Sequence, residues 1–109
     1  MRATEEAVAI HRELAAAYPD RYRPDLAASL SNLGVMFSGL GRPAEALRAT
    51  EEAVAIHREL AAAYPDRYRP GLATSLTNLS VTFSELDRPA EAEEMQREAE
   101  RIRADHGDL

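Results

Sequence analysis

Residues 2–24 and 48–70 are the same 23 amino acids, RATEEAVAIHRELAAAYPDRYRP. The match continues beyond them: residues 2–47 align with 48–93 at an offset of 46, and 38 of the 46 positions are identical. A third, decayed copy begins at Glu94, keeps Ala99 and Ile102, and stops. Units this alike cannot build one irregular core. Each must bury its apolar face on its neighbours, which is the arrangement of a solenoid.

Within each unit the punctuation is proline and glycine. Breaks fall at Tyr18-Pro19-Asp20, Arg23-Pro24, Gly41-Arg42-Pro43, Tyr64-Pro65-Asp66, Arg69-Pro70-Gly71 and Asp87-Arg88-Pro89. They predict five helices at about 2–18, 24–40, 43–64, 70–86 and 89–105, with Pro24, Pro43, Pro70 and Pro89 in first turns that tolerate proline. Leu26, Leu30, Leu33, Phe37 and Leu40 are spaced as one helical face, and Leu72, Leu76, Leu79, Phe83 and Leu86 repeat it. Ala3, Ala7, Ile10, Leu14 and Tyr18, broadened by Val8, form a second stripe that Ala49, Ala53, Ile56, Leu60 and Tyr64 repeat. The 21 alanines favour helix while adding little burial.

Composition removes several functions. Cysteine is absent, which excludes a disulfide scaffold, a Cys-ligated zinc site and a thiol nucleophile. All 13 basic residues are Arg against 19 acidic ones, and a net charge of −6 disfavours nucleic acid or an anionic membrane as partner. No apolar run reaches the roughly 20 residues of a membrane span, and the acidic start Thr4-Glu5-Glu6 does not read as a signal peptide. The expectation is a soluble cytoplasmic protein.

Ser31-Asn32-Leu33-Gly34-Val35-Met36-Phe37, followed by Gly41-Arg42-Pro43-Ala44-Glu45-Ala46, resembles a tetratricopeptide repeat: Leu33, Gly34, Phe37 and Ala46 match that family's pattern. The long second helix and the lead-in Pro24-Asp25-Leu26-Ala27 most resemble the kinesin-light-chain subtype, although 46 residues exceeds the usual repeat. The resemblance implies an all-α, right-handed superhelix in which each repeat is a helix A followed by a helix B. It divides the chain into an unpaired helix B (1–23), one full repeat (24–69) and a last repeat ending in a polar capping helix (70–109). Gly34 and its counterpart Ser80 are small enough for close helix contact, and Asp87, in place of Gly41, is positioned to cap the helix after it.

The two ends differ. Glu93, Glu100 and Arg101 replace Leu47, Val54 and Ala55, as a wetted terminal cap requires. The first helix copies an internal one yet lacks its helix A. Ala7, Ile10 and Leu14 are expected to serve the following helix, leaving parts of Ala3, Val8, Ala15 and Ala16 bare. Two expectations arise: the sequence is a piece of a longer array, or Ala3, Ala7, Val8, Ile10 and Leu14 form a self-association edge, giving a homodimer about a two-fold axis or an oligomer made by helix exchange.

The resemblance places the ligand groove on the A helices. The stripe opposite the Leu faces holds Ala28, Ser31, Asn32, Val35, Ser38 and Gly39 in one copy and Thr74, Thr77, Asn78, Val81, Ser84 and Glu85 in the other. Asn32 and Asn78 stand where related arrays bond a peptide backbone, for which an amide has both donor and acceptor. The same residues also suit helix-to-helix bonding or simple solvation.

No reactive set emerges. His11 and His57 are one repeat position and bring no converging metal ligands. Glu5-Glu6, Glu51-Glu52 and Glu93-Glu94 point apart on their helices and favour early helical turns. Gly39-Leu40-Gly41 lacks the rest of a phosphate loop, and Asn78-Leu79-Ser80 is a mid-helix sequon by chance. Tyr18, Tyr22, Tyr64 and Tyr68 fit repeat-junction packing, and Arg21, Arg23, Arg67 and Arg69 form a local basic edge. The sequence therefore predicts a non-catalytic scaffold without metal or cofactor that binds a protein or extended peptide, or alternatively a self-assembly module.

Overall fold

A computed structural model describes residues 2–107, and among them every regular element is helical: α1 (Arg2–Ala17), α2 (Pro19–Gly39), α3 (Pro43–Ala63), α4 (Pro65–Glu85) and α5 (Pro89–Gly107). Each helix packs on the one before it, and α2 also meets α4. α2 and α4 are the A helices; α1, α3 and α5 are the B helices.

The A helices start five residues earlier than the sequence led us to expect. Pro19 and Pro65, rather than Pro24 and Pro70, occupy the first turn, and the second proline of each pair lies inside the helix. One non-helical residue, Tyr18 or Tyr64 (both φ −136°, ψ 74°), is enough to turn the chain from a B helix into the next A helix. The Tyr18 amide donates to the Leu14 carbonyl at 2.7 Å, and the Tyr18 carbonyl accepts from Tyr22 at 3.1 Å. Pro24 removes only a bond to the carbonyl of Asp20, which is solvent-exposed, so the internal proline costs less than in a buried helix. Residues 19–23 thus belong to the repeat that follows them.

The return from A to B takes three residues, Leu40-Gly41-Arg42 and Leu86-Asp87-Arg88. Gly41 (φ 70°) and Asp87 (φ 59°) both take the left-handed conformation that closes this turn. Asp87 does so as one of the few side chains tolerated there. Its role is this turn and not the expected helix cap, since Arg88 separates it from Pro89.

The internal B helix, α3, has two apolar faces. On α3, Ala46, Ala49, Ala53 and Ile56 join the core formed with α2, while Val54 and Ala61 join the core formed with α4 and α5. On α1, Val8 and Ala15 (both 7% exposed) pack on α2, as their counterparts Val54 and Ala61 pack on α4. This reverses the expected assignment: Val8 and Ala15 are covered, and the stripe with Ile10 is bare. Ile10 is 55% exposed although Ile56, in an identical helix, is 5% exposed. α5 buries Ala92, Ala99 and Ile102 and leaves Glu93, Glu100 and Arg101 in solvent, as a cap should.

The two repeats solve one close contact in opposite ways. Gly34 lies so near α3 that a Cβ there would collide with the Thr50 hydroxyl. That hydroxyl, on a nearly fully buried side chain, donates to the Ala46 carbonyl at 2.7 Å. In the second repeat Gln96 stands at the Thr50 position, and Ser80, at the Gly34 position, donates to the Ala92 carbonyl at 2.8 Å. Ala46 and Ala92 are the same repeat position, so one hydroxyl serves one carbonyl, supplied from α3 in one case and from α4 in the other.

His57 marks a second difference. Its Nδ1 lies 3.1 Å from the Ser75 hydroxyl, which donates onward to the Leu72 carbonyl, so Nδ1 carries the proton. Its Nε2 edge rests where Gly71 has no side chain; a Cβ there would come within 3.2 Å. The first copy has Asp25 in that place, and the buried Nδ1 of His11 has no partner among the described residues.

Two outcomes follow for stability. Gly34→Ser should destabilise the chain by about 2 kcal/mol through overpacking, and adding Thr50→Ala should restore most of that loss in denaturant unfolding. Burial holds the His57 imidazole below its ordinary pKa, so the folded chain binds fewer protons than the unfolded one. Its contribution should be complete above about pH 6.5 and decline as pH falls from there towards the depressed folded value. Thermal melts in that window should show the decline, and His57→Asn should flatten it. The salt-bridged carboxyls of Glu59, Glu91 and Glu98, held below their usual range by Arg23, Arg88 and Arg58, act only at lower pH.

Candidate functional site

The A helices stand side by side, and between them lies a cavity of about 210 Å³ lined by Gly34, Val35, Ser38, Thr50, Asn78, Val81 and Thr82. Its position follows from the repeat. α2 supplies one wall, α4 the other, and Thr50 of α3 reaches the floor because Gly34 leaves room for it. Four of the expected groove residues converge here: Val35, Ser38, Asn78 and Val81. Ser31 and Thr77 are half-buried but do not line it, and Ala28, Asn32, Thr74, Ser84 and Glu85 are exposed and outside its lining. Thr74 and Thr77 return their hydroxyls to the Pro70 and Ala73 carbonyls, and the Ser31 hydroxyl is buried without a described partner.

The two asparagines are therefore not equivalent. Asn78 lies on the side of α4 that faces α2. Asn32, at the same station on α2, is exposed and does not line the cavity. Gly34, Thr50 and Thr82 complete the cavity and were not expected in it. Thr82 was legible only as one of the eight positions at which the copies differ, where it replaces Met36.

The lining carries no charge. Ser38 donates to the Glu85 carboxylate, a contact that ties α2 to α4 at one end. Thr50 and Thr82 use their hydroxyl protons on the Ala46 and Asn78 carbonyls. The Asn78 side-chain amide has no hydrogen bond to any described residue and is half-buried. Val35 (55% exposed) and Val81 (52%) flank it. The space is smaller than the roughly 300–1,000 Å³ of drug-sized ligand sites. It suits one side chain of a longer ligand, with a donor and an acceptor at its wall.

Elsewhere, the charged surfaces are spent on one another. On the B helices Arg12 bonds Glu52 through its two terminal guanidinium nitrogens (2.6 and 3.1 Å), and the next repeat copies this as Arg58 with Glu98. Arg23 grips Glu59 at 3.0 Å twice, and Arg69 approaches Asp105 at 3.5 Å. These carboxylates hold the Arg12, Arg23 and Arg58 guanidiniums protonated even more firmly than usual. A wider cavity, about 520 Å³ beside Pro19, Arg23, Glu59, Tyr64 and Tyr68, is walled by that paired Arg23 and by Arg67, whose guanidinium lies 5.4 Å over the Tyr68 ring. Arg21 lies likewise over Tyr22. The basic edge read in the sequence is thus largely engaged. No group of three or more His, Asp or Glu among the described residues is placed to hold a metal ion, and no described helix is long and apolar enough to cross a membrane.

Family comparison matches the same units. The model of the tetratricopeptide repeat fits residues 26–63 and 72–104, which together are well over half of the chain. Each match runs from an A helix into its B helix, and α1 lies outside both. The chain has no match among curated proteins and none among solved structures. Repeats of this family are in general protein–protein interaction modules. On the two matched segments and the all-helical array that carries them, the chain belongs to the tetratricopeptide repeat family.

Proposed function

We propose that this chain is a non-catalytic, cytoplasmic binding module that captures an extended segment of a partner protein along α2 and α4. The observation that carries this reading is the free amide of Asn78, set in an uncharged cavity between the exposed Val35 and Val81. An extended peptide offers backbone N–H and C=O groups at regular intervals, and one amide side chain satisfies one of each. The cavity beneath takes a small apolar side chain of the same segment. The Pro24-Asp25-Leu26-Ala27 lead-in and the long B helices favour the kinesin-light-chain-like subtype.

A second reading, assembly through the bare face of α1, rests on Ile10, which is exposed where its counterpart Ile56 is buried. Two coverings fit such a face: a second α1 across a two-fold axis, or the A helix of a further unit.

Selection from a displayed library of random peptides tests the groove. Captured peptides should lose affinity by about tenfold or more, near 1.4 kcal/mol or above, with Asn78→Ala or Val81→Glu. Thermal unfolding should barely change, since both side chains face solvent or the open cavity. Asn32→Ala should be nearly silent. Binding that ignores Asn78 and Val81 would remove the groove reading.

A further inference from the structure

The bare face of α1 can be compared with an identical face that is covered. Residues 2–17 and 48–63 have the same sequence, so α3 is a template for what α1 lacks. On α3 the stripe Ala49, Ala53 and Ile56 is buried in the core that includes Leu26, Leu30, Leu33 and Phe37 of α2. On α1 the same stripe is Ala3, Ala7 and Ile10: Ala3 and Ile10 are exposed and Ala7 is half-buried.

Charge completes the template. α3 carries two carboxylates, Glu52 and Glu59, that receive Arg12 from the preceding B helix and Arg23 from the start of its own A helix. Their counterparts on α1 are Glu6 and Glu13. Glu6 is largely exposed, with only Arg2 of its own helix at 3.8 Å, and Glu13 is exposed with no ion pair among the described residues.

We infer that the Ile10 face of α1 is a docking surface for an A-type helix belonging to a further repeat of this same 46-residue kind. This deepens the assembly reading and is independent of the groove. Such a helix brings leucines at four- and three-residue spacing closing on a phenylalanine, with an arginine ahead of the first leucine. α4 has this form in Arg69, Leu72, Leu76, Leu79 and Phe83. The arginine meets Glu13 as Arg23 meets Glu59. A second α1 is the poorer occupant. It presents the same Glu6 and Glu13, so carboxylate faces carboxylate, and its Arg12 is already held by Glu52.

The opposite end of the array does not compete for this helix. α5 has Glu93 and Glu100 where α3 offers Leu47 and Val54, and Ala104 where α3 has Arg58, so the ladder of ion pairs between B helices ends there. The apolar, carboxylate-bearing face of α1 is therefore the better match for an A-type helix.

The test uses the full chain and a fluorescein-labelled peptide of residues 65–88, followed by polarisation up to about millimolar protein. Folding of the peptide on binding costs part of the gross affinity, so a dissociation constant of about tens of micromolar is expected. Ile10→Glu should weaken binding by about tenfold or more while leaving the melting temperature of the chain unchanged, because Ile10 is already exposed. Glu13→Arg should weaken it severalfold, and Arg69→Glu in the peptide should recover that loss. Absence of saturable binding would overturn the inference, as would binding indifferent to Ile10→Glu. So would a chain that light scattering finds dimeric and that Ile10→Glu returns to 12.0 kDa, since the occupant would then be a second α1.

Discussion

A B helix with two apolar faces needs an A helix on each side, and this one requirement organises the molecule. α3 has both neighbours and buries both stripes. α5 has one, and its second face has been rewritten with Glu93, Glu100 and Arg101. α1 has one, and its second face has not been rewritten at all. The single-residue turns at Tyr18 and Tyr64 follow from the same demand: a B helix and the next A helix lie in contact, so little chain can separate them. The paired arginines and glutamates on the B helices fix register rather than strength, since exposed ion pairs add little to stability.

Near-identity of the copies makes their differences informative. Gly34 with Thr50, and Ser80 with Gln96, are two arrangements of one contact, and each requires its own partner. Gly71 admits His57 where Asp25 stands beside the helix of His11. Glu85, in place of Gly39, reaches back to Ser38 and joins the A helices. Several of the eight changes thus act where helices meet. Two of them, Gly34 and Thr82, line the cavity between the A helices, where Gly34 leaves room for Thr50.

The repeat and the five helices were legible in the sequence because periodicity and Pro/Gly punctuation report local structure directly. The helix starts at Pro19 and Pro65 were not. Two prolines five residues apart looked like a loop, and only tertiary packing shows that Tyr18 alone makes the turn. The faces of α1 were misassigned because Val8 and Ile10 are both apolar, and the pattern does not say which neighbour each will meet. Of the seven residues that line the cavity between α2 and α4, Val35, Ser38, Asn78 and Val81 were nameable from the resemblance to related arrays. The inequality of Asn32 and Asn78 was not, since it arises from their places along the array rather than from their residue type.

These helices owe their order to neighbours and not to their own sequence, and the chain supplies its own control. Native-state amide exchange should be measured by NMR across α1 and α3, because proteolytic fragments confined to the two identical stretches have the same mass. The amides around Ile56 should exchange only through global unfolding, while those around Ile10 should open locally at much lower free energy. Equal protection of the two helices would contradict it.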